Sequence, residues 1–124
     1  VDREVSEGLK RYLLKNIIIY LMAIVFDTYR FEGPFLTKRE LKQAPGVFIL
    51  LCTTGKGTTY IVDAGESENV RQAIEDSPNR HCWVSNCKGT ISVAVLYTPE
   101  LDRKGRKEIE RIIRSRDFVP CQQY

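Results

Sequence analysis

The sequence predicts an α+β domain: a small three- to four-stranded, mainly antiparallel sheet flanked by helices. Three observations carry that expectation. The chain has 124 residues and 43% of them are hydrophobic, which is one domain's length with enough apolar surface to bury a core. The stretch GVFILLCTTGKGTTYIVDA, residues 46–64, reads as two strands joined by a turn with two glycines. Two segments of helical spacing then bracket a third apolar run, ISVAVLY, so the order is β-β-α-β-α behind a leading strand.

Taken in order, EVSEGLKRYLL places Val5, Leu9, Tyr12 and Leu13 at helical spacing and predicts a short amphipathic helix. IIIYLMAIVFDTYRF is rich in β-branched and aromatic residues. Its second half alternates through Val25, Asp27, Tyr29 and Phe31, which predicts a strand. EGPF reads as a turn, and LTKRELKQ as a short helix with Thr37 as its N-cap. After the hairpin, Ser67 is placed to cap a helix ENVRQAIED, with Glu66 and Glu68 favourable at its positive end. That helix would turn Val70, Ala73 and Ile74 inward and leave Arg71 and Glu75 as an outward i,i+4 pair. SPNRHCWVSNCKGT reads as a loop, and residues 100–116 as a last helix whose Ile109, Ile112 and Ile113 face the core. Residues 1–24 form an N-terminal extension under this reading, and 25–124 the domain proper.

Composition narrows the function classes. The net charge of +3 identifies no partner by itself, but its placement is informative. Leu101 to Phe118 holds seven basic residues against four acidic ones, so this one helix carries the whole excess. Such a helix suits a nucleic-acid surface or simply a solvated face. The apolar run Asn16 to Phe26 is too short for a membrane helix, which needs about 20 residues. The acidic start VDREVSEG lacks the basic region of a secretory signal. The even count of four cysteines, Cys52, Cys82, Cys87 and Cys121, would suit two disulfides, but their spacing and context suggest no secreted scaffold; Cys52 reads as a small buried hydrophobe, and the setting as reducing and cytoplasmic. A zinc site at His81, Cys82 and Cys87 has only one ligand pair at suitable spacing and is set aside.

Several of these stretches together resemble the GIY-YIG endonuclease superfamily, over roughly residues 28–121. PGVFILL resembles the first signature strand, VDAGESENVRQAI the second strand and its helix, and RKEIERIIRSRDFVPC the later helix that carries a glutamate. DAGES, the HCW loop, VAVLYTP and the closing PC are similar to an uncharacterised bacterial subgroup. The resemblance implies phosphodiester cleavage with one divalent ion, Mg²⁺ or Mn²⁺. A tyrosine would help activate water, an arginine would steady the phosphate, and a glutamate would hold the metal.

The chain departs from that pattern at nearly every such position. Phe48 replaces the first tyrosine and keeps the ring without the hydroxyl, while Asp63 replaces the second. Ala73 stands where the arginine is expected and Ser77 where some members carry a histidine. Arg71 is two residues away, about 200° round the helix, and cannot simply substitute. Tyr60 precedes Asp63 by an odd step and is expected on the opposite sheet face. The glutamate survives as Glu110, with Glu108 the competing alignment, and is the candidate metal ligand, although Arg106 and Arg114 lie four residues either side of Glu110, where exposed ion pairs are common. Asp63, Glu66 and Glu68 would supply further oxygen ligands only if their segment curled.

Two functions follow from the resemblance. The first is a noncatalytic module that binds DNA, RNA or a protein. Its nucleic-acid contacts would come from Arg71, Arg80, Arg103, Lys104, Arg106, Lys107 and Arg111. The alternative is an active metal-dependent endonuclease built on Asp63 and Glu110 with Arg71 or Arg80. Loss of both tyrosines and the arginine favours the module, since removing one transition-state donor costs about 100- to 1,000-fold.

Overall fold

The computed structural model describes residues 28–121 and, ahead of them, three short strands: β1 (Tyr12–Leu14), β2 (Ile17–Ile19) and β3 (Ile24–Phe26). There follow β4 (Tyr29–Phe35), a 3-10 turn at Lys38–Glu40, β5 (Gly46–Thr53) and β6 (Thr59–Ser67). Next come α1 (Val70–Glu75), α2 (Arg80–Ser85), β7 (Thr90–Tyr97) and α3 (Arg103–Arg116). The strands pair antiparallel in the order β1-β2-β3-β4-β7-β5-β6. The expected four-stranded antiparallel sheet with flanking helices is present as β4-β7-β5-β6, and β1 to β3 continue it beyond β4.

β5 lies between β7 and β6, and its side chains alternate between two helical layers. Val47, Ile49 and Leu51 face α3, whereas Phe48, Leu50 and Cys52 face α1 and α2. A strand covered on both faces has no reason to alternate apolar with polar, which is why GVFILLC is one continuous apolar run. α3 closes its side with Ile109 and Ile113, and Ile112 packs at the margin. Burying each such side chain contributes about 1.5–3 kcal/mol.

Several local readings are corrected. Tyr12 and Leu13 lie in β1 rather than in a helix; the remainder of that expected helix lies outside the described residues. The single strand expected from IIIYLMAIVFDTYRF is divided among β2, β3 and β4. EGPF is no turn: β4 runs through it, and its register against β7 shifts between Glu32 and Phe35. Gly33 has φ 111° there, and an added Cβ would lie 2.8 Å from the Val93 carbonyl oxygen, so the bulge requires glycine. LTKRELKQ contracts to the 3-10 turn, where the Glu40 carboxylate accepts from the Thr37 amide (3.0 Å) and hydroxyl (2.9 Å). Those bonds, the amide first, hold the Glu40 carboxyl below the usual glutamate range.

β6 continues to Ser67, so the cap of α1 moves two residues on to Asn69, whose side-chain oxygen accepts from the Gln72 amide at 3.1 Å. Ser67 instead accepts from the Asn69 amide at 2.9 Å. The expected loop SPNRHCWVSNCKGT contains α2, a helix with Trp83 as its one buried residue and therefore no apolar period to read. The cysteines are not free. Cys52 bonds Cys87 across 35 residues and Cys82 bonds Cys121 across 39, with Cα separations of 5.6 and 5.9 Å. Cys82 and Cys87 belong to different disulfides, so they tie α2 and the loop after it to the C-terminal segment and to β5. Among the described residues no helix is long and apolar enough to cross a membrane.

Candidate functional site

Three of the positions singled out by the resemblance meet. Phe48 on β5, Ala73 on α1 and Ser77 after it line one cavity of about 300 Å³, with Glu66, Asn69 and Gln72 on its other walls. The register places Phe48 directly opposite Gly65, and its ring lies against that glycine. A Cβ built on Gly65 would come within 2.5 Å of the Phe48 ring. Gly65→Ala is therefore expected to lose about 1–3 kcal/mol by overpacking. Urea denaturation should show much of the loss recovered when Phe48→Leu is added, and simple additivity of the two changes would refute the contact.

Asp63 does not join that cavity. It is wholly buried, and each of its oxygens has two donors. Oδ1 accepts from the Ala64 amide (2.8 Å) and the Arg114 guanidinium (2.8 Å). Oδ2 accepts from the Asn79 amide group (3.1 Å) and the Trp83 indole N–H (2.7 Å). A carboxylate offers about four lone-pair sites, so none is left to take a proton from water or to coordinate a metal. Trp83 thus packs and bonds in the core rather than standing free to stack on a base.

A bulge in β6 makes this possible. Leu51 pairs with Ile61 but Leu50 pairs with Asp63, so Val62 is an extra residue. The bulge also overturns the expected opposition of Tyr60 and Asp63. Tyr60 sits opposite Cys52 and Asp63 opposite Leu50, so both point toward α1 and α2, and the Tyr60 hydroxyl donates to the Asn86 carbonyl at 2.9 Å. Period-two counting fails across any inserted residue.

Glu110 is held in a chain of alternating charges that runs from Asp63 along α3. Arg114 bonds Asp63, Glu110 (3.0 Å) and the Ala64 and Cys121 carbonyls. Lys107 lies 3.5 Å from Glu110 and 3.9 Å from Glu66. Glu66 in turn receives Arg106 at 2.7 Å and Arg103 at 3.6 Å. Of the two exposed pairs expected for Glu110, the one with Arg114 forms, whereas Arg106 turns to Glu66, and neither Arg106 (3% exposed) nor Glu110 (5%) lies on a solvated face. Residues 106, 110 and 114 recur at i+4 spacing and form a polar stripe beside the apolar one, and both face β6. Because β6 stays extended through Ser67, Asp63 and Glu66 engage different groups rather than converging. Among the described residues no group of three or more His, Cys, Asp or Glu is arranged to hold a metal ion.

The nucleic-acid candidates are dispersed. Arg71 makes the expected pair with Glu75 at 3.4 Å. Arg80 uses its guanidinium on the Ile74 and Glu75 carbonyls at the end of α1. Arg106 is buried, and Arg111 is bidentate with Glu108, which lowers the Glu108 carboxyl and raises the Arg111 guanidinium from their usual ranges. Arg103, Lys104 and Lys107 remain exposed on one side of α3.

The sequence reading missed Asn79 altogether and saw Arg114 only as a partner of Glu110. A carboxylate in an otherwise apolar strand, IVDA, was the available signal: a buried charge demands partners, and a long cation elsewhere must reach it. No family model, no curated protein and no solved structure matches the chain.

Proposed function

We propose that the chain is a noncatalytic GIY-YIG-like domain that binds a nucleic acid or a protein partner through the exposed side of α3. The observation that carries this reading is the sealing of Asp63. The residue at the second tyrosine position, which would have to replace it as base or metal ligand, has every acceptor site occupied inside the core. Support comes also from the cavity, where Phe48 and Ala73 bring neither hydroxyl nor guanidinium to a phosphate.

The test is cleavage of supercoiled, linear, branched and single-stranded substrates with Mg²⁺ or Mn²⁺. No product at high protein concentration is expected. Metal-dependent cleavage abolished by Glu110→Gln would overturn the reading in favour of a carboxylate-based endonuclease. For binding, charge reversal at Arg103, Lys104 and Lys107 should abolish association. If the partner is DNA or RNA, affinity should fall steeply with salt, and each lost phosphate contact should reduce the log–log slope by about one. A protein partner predicts little affinity for either polymer.

A cytoplasmic setting rested on reduced cysteines, and the two disulfides remove that premise, because such bonds persist in oxidising compartments. Alkylation and mass measurement of the protein taken directly from its own cells decide the matter: four blocked thiols indicate a reducing compartment, none an oxidising one.

A further inference from the structure

A second cavity, of about 360 Å³, lies on the α1 and α2 side of the sheet, and none of its lining residues belongs to the cavity around Phe48. Its floor is apolar and rigid: Leu50 and Val93 from the sheet, Ile74 from α1 and Trp83 from α2. Each is buried, and Trp83 is additionally fixed by its bond to Asp63. The space lies at the lower end of the range of small-molecule pockets, about 300–1,000 Å³.

The rim supplies a second observation. Of the three large hydrophobic side chains that stand exposed among the described residues, two, Leu36 (67%) and Val84 (64%), line this cavity. Lys38 and Arg80 stand with them at its mouth. The one acid there, Glu75, is engaged by Arg71. Arg80 is oriented by its bonds to the Ile74 and Glu75 carbonyls, and among the described residues neither it nor Lys38 has a carboxylate within 4.0 Å. An apolar chamber with two cations at its opening matches a molecule with an apolar body and one anionic end.

We propose that this cavity binds a small amphipathic anion, an aromatic or branched aliphatic carboxylate, with its hydrocarbon against Trp83, Leu50 and Val93 and its carboxylate between Lys38 and Arg80. The inference is independent of the family reading: Arg80 alone is common to both, and the cavity needs none of Phe48, Asp63, Ala73 or Glu110 as a ligand-binding group. Binding would bury Leu36 and Val84 and give Lys38 and Arg80 a carboxylate partner without disturbing the Asp63 network beneath.

Trp83 is the chain's one tryptophan and lies in the floor, so its emission reports occupancy directly. The probe is 3-phenylpropionate, with neutral 3-phenylpropanamide as comparison. A saturable one-to-one change in Trp83 emission is expected, with the amide binding several-fold more weakly. Lys38→Glu should bring the acid to or below the affinity of the amide. Leu36→Ser with Val84→Ser should weaken both ligands about tenfold. Both rim residues are exposed, so the urea midpoint of that variant should stay close to that of the parent chain. Absence of a saturable change, or undiminished binding in the rim variant, would overturn the proposal. Equal affinity for acid and amide would overturn its anionic half.

Discussion

Replacing Asp63 with alanine should remove about 3–5 kcal/mol of folding stability, because it breaks a buried ion pair and strips three side-chain donors of their shared acceptor. Arg114 would keep Glu110 and the Ala64 and Cys121 carbonyls but lose its pairing with a fully buried carboxylate. The Asn79 amide and the Trp83 indole N–H would lose their acceptor at the same time, each costing about 1–3 kcal/mol if left unsatisfied. Asp63→Asn preserves acceptor capacity on one oxygen only and should fall between the two. Joining Asp63→Ala to Arg114→Met should cost less than the sum of the single changes, since the two side chains share one contact that either change already removes. Urea denaturation followed by Trp83 emission measures all four proteins. A loss below about 1 kcal/mol for Asp63→Ala would show that the network is not what holds β6 to α2 and α3.

The second large effect belongs to the disulfides. Closing loops of 35 and 39 residues is worth about 4 kcal/mol each on chain entropy alone. The loops overlap between Cys82 and Cys87, so the joint contribution should fall short of the sum. Reduction should therefore lower the urea midpoint strongly, and Cys82→Ser with Cys121→Ser should reproduce part of that loss. The consequence is also local. The Cys121 amide donates to the Val62 carbonyl at the β6 bulge, and the Cys121 carbonyl accepts from Arg114. Hydrogen exchange at the residue 121 amide and around the bulge should therefore rise in the Cys82→Ser, Cys121→Ser variant more than in Cys52→Ser, Cys87→Ser. Equal exchange in the two variants would mean that the C-terminal segment is held by packing alone.

These two expectations converge on α2, the element least legible in the sequence. It is short and buries only Trp83, so hydrophobic period cannot announce it. It is held by side chains from elsewhere: Asp63 from β6, Cys121 from the C-terminal segment, and, through the loop that follows it, Cys52 from β5. By contrast β5, β7 and α3 were readable because each carries its own pattern. A doubly covered strand must be apolar throughout, and a helix on a sheet must repeat its isoleucines at three and four.

The candidate site divides in the same way. That Phe48 and Ala73 contribute neither a hydroxyl nor a charge follows from residue identity. The fate of Asp63 and Glu110 does not, because a carboxylate's role depends on which cations surround it. One extra residue in β6 rotates Asp63 toward Asn79 and Trp83, and no count along the strand reveals that insertion.

The sequence by itself therefore determined the α+β class, the hairpin, the apolar strand β7 and the amphipathic helix α3, since these follow from local periodicity. Only the tertiary structure decided that the cysteines pair, that α3's cations largely neutralise β6, and that Asp63 is a structural hub. Each of those depends on groups far apart in sequence meeting in space, from 16 residues for Asp63 and Asn79 to 51 for Asp63 and Arg114. Such encounters are fixed by packing and register rather than by any local run of residues.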